Sequence, residues 1–241
     1  MLEIKGITKE YTKGKKAVDD LTLTVNNGEI FGFLGPNGAG KTTTIKMITG
    51  IAKPNKGDIL VEGNSIISNP LEAKKNFGFV PDNPDMFLRL KGIEYLNFMG
   101  DIYGVEMSAR SQKVEKLAKT FEIEDALSNQ IQTYSHGMRQ KIILLGVLLH
   151  EPKNWILDEP MTGLDPKSAH TLKQMMREHV EKGNTVFFST HVLEVAEKLC
   201  DRVGIINKGK LLFSGTYEEI KQKFNDEASL ENIFLEMTED E

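Results

Sequence analysis

The sequence predicts an α/β protein built on a mostly parallel sheet and interrupted by a helical block. Three observations lead to this prediction: strand-like runs dominate the first 80 residues, helical spacing dominates residues 92–149, and strands return from residue 154 with helical segments between them. Strands that alternate with helices are typical of a parallel sheet covered by those helices. The middle block is therefore interpreted as a subdomain inserted between two strand-rich parts.

Apolar runs and their boundaries predict the individual strands. Residues 21–25 alternate apolar and polar side chains, and residues 30–34 form a short apolar run. Alternation indicates a half-buried strand, whereas a continuous apolar run is consistent with a fully buried one. Runs of these kinds predict further strands at residues 58–61, 77–80, 155–157, 186–188 and 203–206.

Apolar residues that recur every three or four positions predict the helices. In the middle block Val114, Leu117, Ala118 and Phe121 have this spacing, with charged residues between them. Outside the block, helices are predicted at residues 42–48, 168–182 and 193–198.

The composition restricts the possible classes of function. The chain has 241 residues and a net charge of -5, which gives no support for a nucleic-acid surface. Its single cysteine, Cys200, excludes an internal disulfide and is typical of a reducing compartment. The longest apolar run, at 142–149, is too short to span a membrane, and the N-terminus lacks a signal-peptide pattern. We therefore expect a cytosolic protein that reaches a membrane only through a partner.

The strongest functional motif is Gly-Pro-Asn-Gly-Ala-Gly-Lys-Thr at residues 35–42, between a predicted strand and a predicted helix. This is the pattern of a phosphate-binding loop, whose backbone N–H groups and following helix attract a β-phosphate. Lys41 is expected to bridge the β- and γ-phosphates, and the Thr42 hydroxyl to coordinate magnesium. A glycine-rich turn before a helix is the alternative interpretation. The candidate nucleotide-binding residues are Gly35, Asn37, Gly38, Ala39, Gly40, Lys41, Thr42 and Thr43.

A second motif supplies two carboxylates. The apolar run that starts at Trp155 ends in Asp158 and Glu159. Parallel strands present functional groups at their carboxyl ends, where the phosphate loop also opens. Asp158 is therefore expected to hold magnesium beside Thr42, and Glu159 to polarise the attacking water. A solvated acidic turn before Pro160 is the alternative interpretation.

A third segment, residues 134–141, reads Tyr-Ser-His-Gly-Met-Arg-Gln-Lys and leads into the apolar run at 142–149. Ser135 is suited to cap a helix, since its hydroxyl can accept a hydrogen bond from a first-turn N–H. Taken alone, a capped helix start is the simpler interpretation. The position of the segment just before the strand at 155–157 favours a role in the same site.

Over residues 1–215 the chain resembles the ATP-binding cassette family, the motor subunits of ABC transporters. Six motifs occur in the order found in that family, which makes the resemblance very specific. They are an aromatic ring at Tyr11, the Walker A loop at 35–42, the signature region at 134–141, the Walker B strand at 155–159, the D-loop at 163–165 and the switch histidine His191.

The resemblance implies the fold of the family: a P-loop NTPase (RecA-like) core with a mostly parallel sheet, an N-terminal antiparallel β subdomain and an inserted α-helical subdomain. Residues 1–241 would then form a single nucleotide-binding domain. Its parts would be the catalytic core with the β subdomain (1–81 and 151–215), the helical subdomain with the signature motif (82–150) and a C-terminal helical tail (216–241).

The resemblance also implies ATP and Mg²⁺ as cofactors, enclosed between two cassettes that pair head to tail. Ser135 and Gly137 of one subunit would contact the γ-phosphate held by Lys41 of the other, since a helix N-terminus with a free hydroxyl attracts anions. Asp165 would help to pass information across the dimer. The second cassette would be either an identical chain or a paralogue.

Within one subunit, the resemblance assigns hydrolysis to Lys41, Glu159 and His191, with His191 bonded to the γ-phosphate. Tyr11 would stack on the adenine ring. An aromatic residue in an N-terminal strand is commonly a packing residue instead, so this alternative stays open.

The chain departs from the family pattern at two places. Asp82 stands where the family usually has a glutamine that contacts magnesium and the attacking water, which makes it the third candidate magnesium ligand. A carboxylate accepts hydrogen bonds but cannot donate as an amide does. In the signature, His136 and Met138 replace a glycine and a glutamine. These changes resemble the type-two export branch of the family, as does the tail at 229–236, and favour an exporter over an importer.

A separate integral membrane permease is the partner that the resemblance implies, with the chain held on the inner face of the membrane through it. Residues 82–96 are the predicted contact, because Met86, Phe87, Leu88 and Leu90 form an apolar group. The core of the helical subdomain is an equally plausible place for these side chains.

Two rival functions have other partners. A soluble ABC ATPase of DNA repair, ribosomes or cluster assembly would share the motifs, but the helical block lacks the sustained heptads of a coiled coil. A GTPase would share the phosphate loop, but Asn207-Lys208-Gly209 is followed by Lys210 rather than by an acidic residue.

Overall fold

Two β-sheets organise the fold of the computed structural model, which describes residues 1–224 and 230–239. The strands are β1 (Leu2–Thr12), β2 (Lys15–Val25), β3 (Ile30–Leu34), β4 (Lys56–Val61), β5 (Asn64–Ser65), β6 (Phe77–Val80), β7 (Asn154–Asp158), β8 (Thr185–Thr190), β9 (Arg202–Asn207) and β10 (Lys210–Gly215). The helices are α1 (Lys41–Ile48), α2 (Pro70–Lys75), α3 (Gly92–Ile102), α4 (Met107–Thr120), α5 (His136–Leu149), α6 (Pro166–Glu181), α7 (Leu193–Leu199), α8 (Tyr217–Phe224) and α9 (Leu230–Glu239). Each predicted strand lies within one of these elements.

The larger sheet has six strands in the order β10-β9-β3-β8-β7-β6. Neighbouring strands are parallel except β10, which runs antiparallel to β9. All residues of the central strand β3 are buried, because apolar cores lie on both faces of the sheet. The carboxyl ends of β3, β8 and β7 therefore lie side by side, and the predicted mostly parallel α/β core is confirmed.

The smaller sheet is antiparallel, with the strand order β2-β1-β4-β5. It confirms the predicted N-terminal antiparallel sheet. Within this sheet, only the strands at residues 21–25 and 58–61 are predicted from the sequence. The long hairpin of β1 and β2 has several register shifts, so its residues do not keep a simple alternation along their length.

Helices α3 to α5 connect β6 to β7, where the sequence predicts an inserted helical block. Every residue of α5 from Gln140 to Leu149 is buried, because the helix lies between α3 and α4 on one side and the sheet on the other. Helix α6 begins at Pro166, two residues earlier than predicted. Asp165 caps it, and proline is well tolerated in the first turn, where its missing N–H costs nothing.

Two short helices, α8 and α9, follow the last strand. Ile220 and Ile233 on these helices are buried beside Ile205 of β9. The predicted C-terminal tail at 216–241 includes residues 225–229 and 240–241, which lie outside the described residues. In the described ranges, the chain has no helix with the length and apolar character that crossing a membrane requires.

A buried histidine, His179 of α6, packs against the first residues of β7. The ring of His179 stacks on Trp155, with 4.1 Å between the ring centroids. Its Nε2 lies 3.1 Å from the carbonyl oxygen of Lys153, which makes Nε2 the protonated nitrogen. Burial lowers the pKa of His179 to about 4. The folded protein therefore holds this imidazole in its neutral form.

Acidification is expected to destabilise the protein through His179. Its folded pKa is depressed, so the stabilisation is fully present above the unfolded pKa and is lost as the pH falls toward 4. Lowering the pH from 7 to 5 is expected to reduce the free energy of unfolding by ~2 kcal/mol through this histidine. Urea unfolding at both pH values checks this. His179→Gln keeps a donor for the Lys153 carbonyl but does not titrate, so an equal pH dependence in this variant would contradict the assignment.

Candidate functional site

The phosphate loop connects β3 to α1, and its glycines are required by close backbone contacts. A Cβ atom on Gly35 would overlap the carbonyl oxygen of Ile206, and one on Gly40 would lie 2.6 Å from the carbonyl oxygen of Ala17. Gly38 and Gly40 also have φ angles of +82° and +115°. None of the described side chains caps the start of α1, so its first-turn N–H groups remain available to an anion.

Lys41 is folded back over this loop. Its Nζ donates to the carbonyl oxygen of Gly35 at 2.7 Å and lies 3.8 Å from Glu159 Oε1. The side chain is only 7% exposed. Burial lowers the pKa of Lys41, and the nearby carboxylates oppose that effect. A buried cation whose hydrogen bonds go mainly to carbonyl oxygens is suited to exchange them for phosphate oxygens.

Asp158 is the last residue of β7 and is buried beside β8. Ser189 Oγ donates to Asp158 Oδ1 at 2.6 Å, and the Thr42 side chain also hydrogen-bonds this carboxylate. Burial raises the pKa of Asp158, while these two hydrogen bonds lower it. The contact with Thr42 brings together two of the three predicted magnesium ligands, and the third, Asp82, lines the neighbouring cleft.

Glu159 follows with a strained backbone, since its φ of +48° lies in the left-handed region. Its backbone N–H donates to Ser189 Oγ at 3.1 Å. Its carboxylate lies 3.0 Å from His191 Nδ1. Glu159 is 13% exposed and His191 is 56% exposed, so the pair extends from the protein interior to solvent. The structure thus brings Lys41, Glu159 and His191 together.

A cleft opens over Lys41 and Glu159, and its wall also includes Ala17, Asp82 and most of segment 36–43. The oxygen donors beside it fit magnesium, which prefers a few protein oxygens together with water and phosphate oxygens. Thr42 and Asp158 would hold the ion, with Asp82 on the same cleft. Among the described residues, no group of three or more His, Cys, Asp or Glu side chains could hold a metal by itself.

Several predicted nucleotide contacts lie outside the cleft wall formed by the described residues: Tyr11, Gly35, Ala39, Ser135, Gly137, Asp165 and His191. Ser135 caps α5, accepting from the backbone N–H of Met138 at 3.3 Å, as the sequence analysis expects. Tyr11 is 60% exposed near the end of β1, with Lys9 Nζ 5.2 Å from its ring centroid. Gly35 and Ala39 shape the loop from behind rather than line the cleft.

Ser189 is a functional residue of the site that was not predicted from the sequence. Its hydroxyl orients Asp158 and accepts from the backbone of Glu159, so one side chain positions both carboxylate residues. A hydroxyl directly after the apolar run 186–188 was the available sequence evidence. Only the pairing of Asp158 with Ser189 across β7 and β8 reveals its role.

The parallel sheet, the phosphate loop and the Walker B carboxylates define a P-loop nucleotide-hydrolysing protein. The chain belongs to the ABC transporter family, whose model matches residues 18–162. It is 32% identical to the ABC-type transporter ATP-binding protein EcsA of Bacillus subtilis over the whole chain and 98% of that protein. It is 35% identical to the linearmycin resistance ATP-binding protein LnrL of Bacillus subtilis, over 91% of this chain and 70% of LnrL.

A solved structure described as the ATP-binding subunit of an ABC transporter has the same fold. It superposes with a TM-score of 0.93 at 33% identity and covers 98% of this chain and 99% of its own. The chain is therefore the ATP-binding subunit of an ABC transporter and carries an ABC ATPase domain, as the sequence motifs predict.

Proposed function

We propose that this chain hydrolyses Mg–ATP in the cleft beside the phosphate loop and so drives export through a separate membrane permease. The position of the Glu159 carboxylate carries this proposal: its Oε1 lies 3.0 Å from His191 Nδ1 and 3.8 Å from Lys41 Nζ. These groups are the base, the phosphate sensor and the cation that phosphoryl transfer to water needs. In this proposal residues 1–81 and 151–215 form the catalytic core and residues 82–150 the helical subdomain.

Each side chain has a separate task in hydrolysis. Glu159 accepts the proton of the attacking water, and His191 orients the Glu159 carboxylate and contacts the γ-phosphate. Lys41 exchanges its carbonyl partners for phosphate oxygens. Thr42 and Asp158 would hold magnesium, which neutralises phosphate charge when bound. Most of the rate enhancement then comes from positioning and electrostatic stabilisation.

A second chain completes the proposed site. Ser135 and Gly137 lie outside the wall of their own cleft, yet Ser135 starts a helix of 14 residues whose N-terminus would attract a phosphate. A head-to-tail pair would place this turn over the γ-phosphate held by the Lys41 of the other chain. Asp165 would lie in the same interface, and Tyr11 would stack on the adenine.

Two observations support export. The relative LnrL is named for linearmycin resistance, a role that removal of a compound from the cell would explain. Asp82 and the Tyr-Ser-His-Gly-Met signature resemble the type-two export branch. Import is the alternative direction.

The permease would contact the segment that follows β6, on the inner face of the membrane. This segment divides in two: Leu88 and Leu90 pack against the core of the helical block, whereas Met86 and Phe87 are exposed. The Phe87 ring lies 5.6 Å from the ring of Phe98 on α3, which extends the apolar surface. An exposed apolar cluster of this kind is typical of a protein contact.

Purification of the tagged chain from crosslinked native membranes tests this function. We expect a polytopic membrane protein to be recovered, and less of it with Phe87→Ser. Leu235→Ser is the matched control, because Leu235 is 42% exposed and Phe87 is 41% exposed. Recovery of ribosomes, nucleic acid or assembly factors from the soluble fraction would support the soluble ATPase instead. Recovery of an external solute-binding protein with the permease would support import.

A further inference from the structure

The start of α5 and segment 163–165 touch closely through their backbones. A Cβ atom on Gly137 would overlap the carbonyl oxygen of Gly163. A Cβ atom on Gly163 would overlap the imidazole of His136. Gly163 has a φ of +79°, which also favours glycine. Neither glycine leaves room for a side chain, so the two segments form one closely packed unit.

Lys141 holds this unit together through an ion pair. Its side chain is buried, and its Nζ lies 2.7 Å from Asp165 Oδ2. Asp165 also accepts hydrogen bonds from the backbone N–H and the hydroxyl of Ser168, at 2.9 Å and 2.7 Å. Lys141 and these bonds hold the pKa of Asp165 well below its usual range. The pair therefore links α5, just beyond the signature turn, to the capped start of α6.

The neighbouring residue Arg139 ties the same helix to a different loop. It pairs with Asp85 at 2.6 Å and donates to the carbonyl oxygen of Gln132 at 2.8 Å. The two basic side chains of α5 thus have separate tasks: Arg139 faces the loop after β6, and Lys141 faces the loop after β7. Loss of Lys141 would therefore release the loop after β7 from α5, while Arg139 would still hold the loop after β6.

We propose that Lys141 is a positioning residue for the nucleotide site that two chains share. It fixes Ser135 and Gly137 against segment 163–165, so that both segments meet the nucleotide of the partner as one surface. This inference rests on the head-to-tail dimer of the proposed function. Within the described residues, Lys141 is not part of the wall of its own cleft. Its loss therefore weakens the pairing of chains and leaves ATP binding to the single chain intact.

All variants are made in a chain that carries Glu159→Gln. Sedimentation in the presence of Mg–ATP measures how strongly two chains dimerise, and titration with a fluorescent ATP analogue measures nucleotide binding to the single chain. Lys141→Met is expected to weaken dimerisation by about tenfold or more, since it leaves Asp165 without its buried partner. The affinity of the Lys141→Met chain for the ATP analogue should stay within about twofold of its parent's. Lys141→Arg restores dimerisation, because a guanidinium also pairs with a carboxylate. Lys113→Met, which breaks the exposed pair with Glu151, changes neither quantity.

Asp165→Asn covers the case in which Lys141→Met does not fold, since the amide oxygen still caps α6. This variant should also weaken dimerisation. The double variant should dimerise no more weakly than the more impaired single variant, because both substitutions remove the same ion pair. Additive losses, or a Lys141→Met chain that dimerises like its parent, would overturn the inference. If the Glu159→Gln chain itself stays monomeric with Mg–ATP, the proposed dimer fails and the inference fails with it.

Discussion

Glu159→Gln is expected to reduce the ATPase rate on the order of 10²- to 10⁴-fold, the usual effect of removing a general base. The amide keeps the shape of the side chain but cannot take a proton from the attacking water. ATP binding should persist, because Lys41 and the loop backbone are unchanged. Unhydrolysed ATP would then hold two chains together, so size-exclusion chromatography with light scattering should detect a stable dimer.

Glu151→Gln provides the matched control. Glu151 also has a positive φ, +50°, but its carboxylate lies at the surface beside Lys113. Its removal should leave the ATPase rate within about twofold of the parent, since an exposed ion pair contributes little. If the Glu159→Gln chain hydrolyses ATP at the parental rate, then Glu159 is not the base.

Lys41→Ala is expected to act on binding itself, because it removes the cation that faces the phosphates. A hydrogen bond to a charged group contributes ~1.5–3 kcal/mol, which corresponds to roughly 10- to 150-fold weaker ATP affinity. Adenosine carries no phosphate, so the parent and the Lys41→Ala variant should bind it with equal affinity. Equilibrium titration with a fluorescent ATP analogue, competed by ATP and by adenosine, measures both effects.

Lys46→Ala on the same helix is the control for this prediction. Lys46 is exposed near the end of α1, whereas Lys41 is buried at its start. The two variants lose the same side chain from the same helix, so any general effect on α1 is shared. Equal losses of ATP affinity in both variants would show that the position of Lys41 over the loop does not matter.

The sequence predicts the local parts of the site well. The phosphate loop and the run that ends in Glu159 are contiguous, and their chemistry follows from residue type and order. The apolar strand at 30–34 is equally clear, because a strand in the middle of a parallel sheet is buried on both faces. These elements are determined by residues close together in the chain.

Contacts between distant residues could not be predicted in this way. Ser189 reaches Asp158 only because β7 and β8 are neighbours, although 31 positions separate them. The Lys141–Asp165 pair depends on how α5 meets α6. The resemblance supplied the role of His191, but not its 3.0 Å approach to Glu159. Such contacts depend on tertiary packing, which residue order does not specify locally.

The stacked pair of Trp155 and His179 gives the protein its own optical reporter. Trp155 is the single tryptophan of the chain, so all indole emission comes from one buried ring. That ring lies on β7, three positions before Asp158, and belongs to the apolar core shared with helices α4 and α5. Any movement of the helical block against the sheet changes the surroundings of this ring. Rearrangements that accompany nucleotide binding can therefore be followed in the native chain without an attached dye.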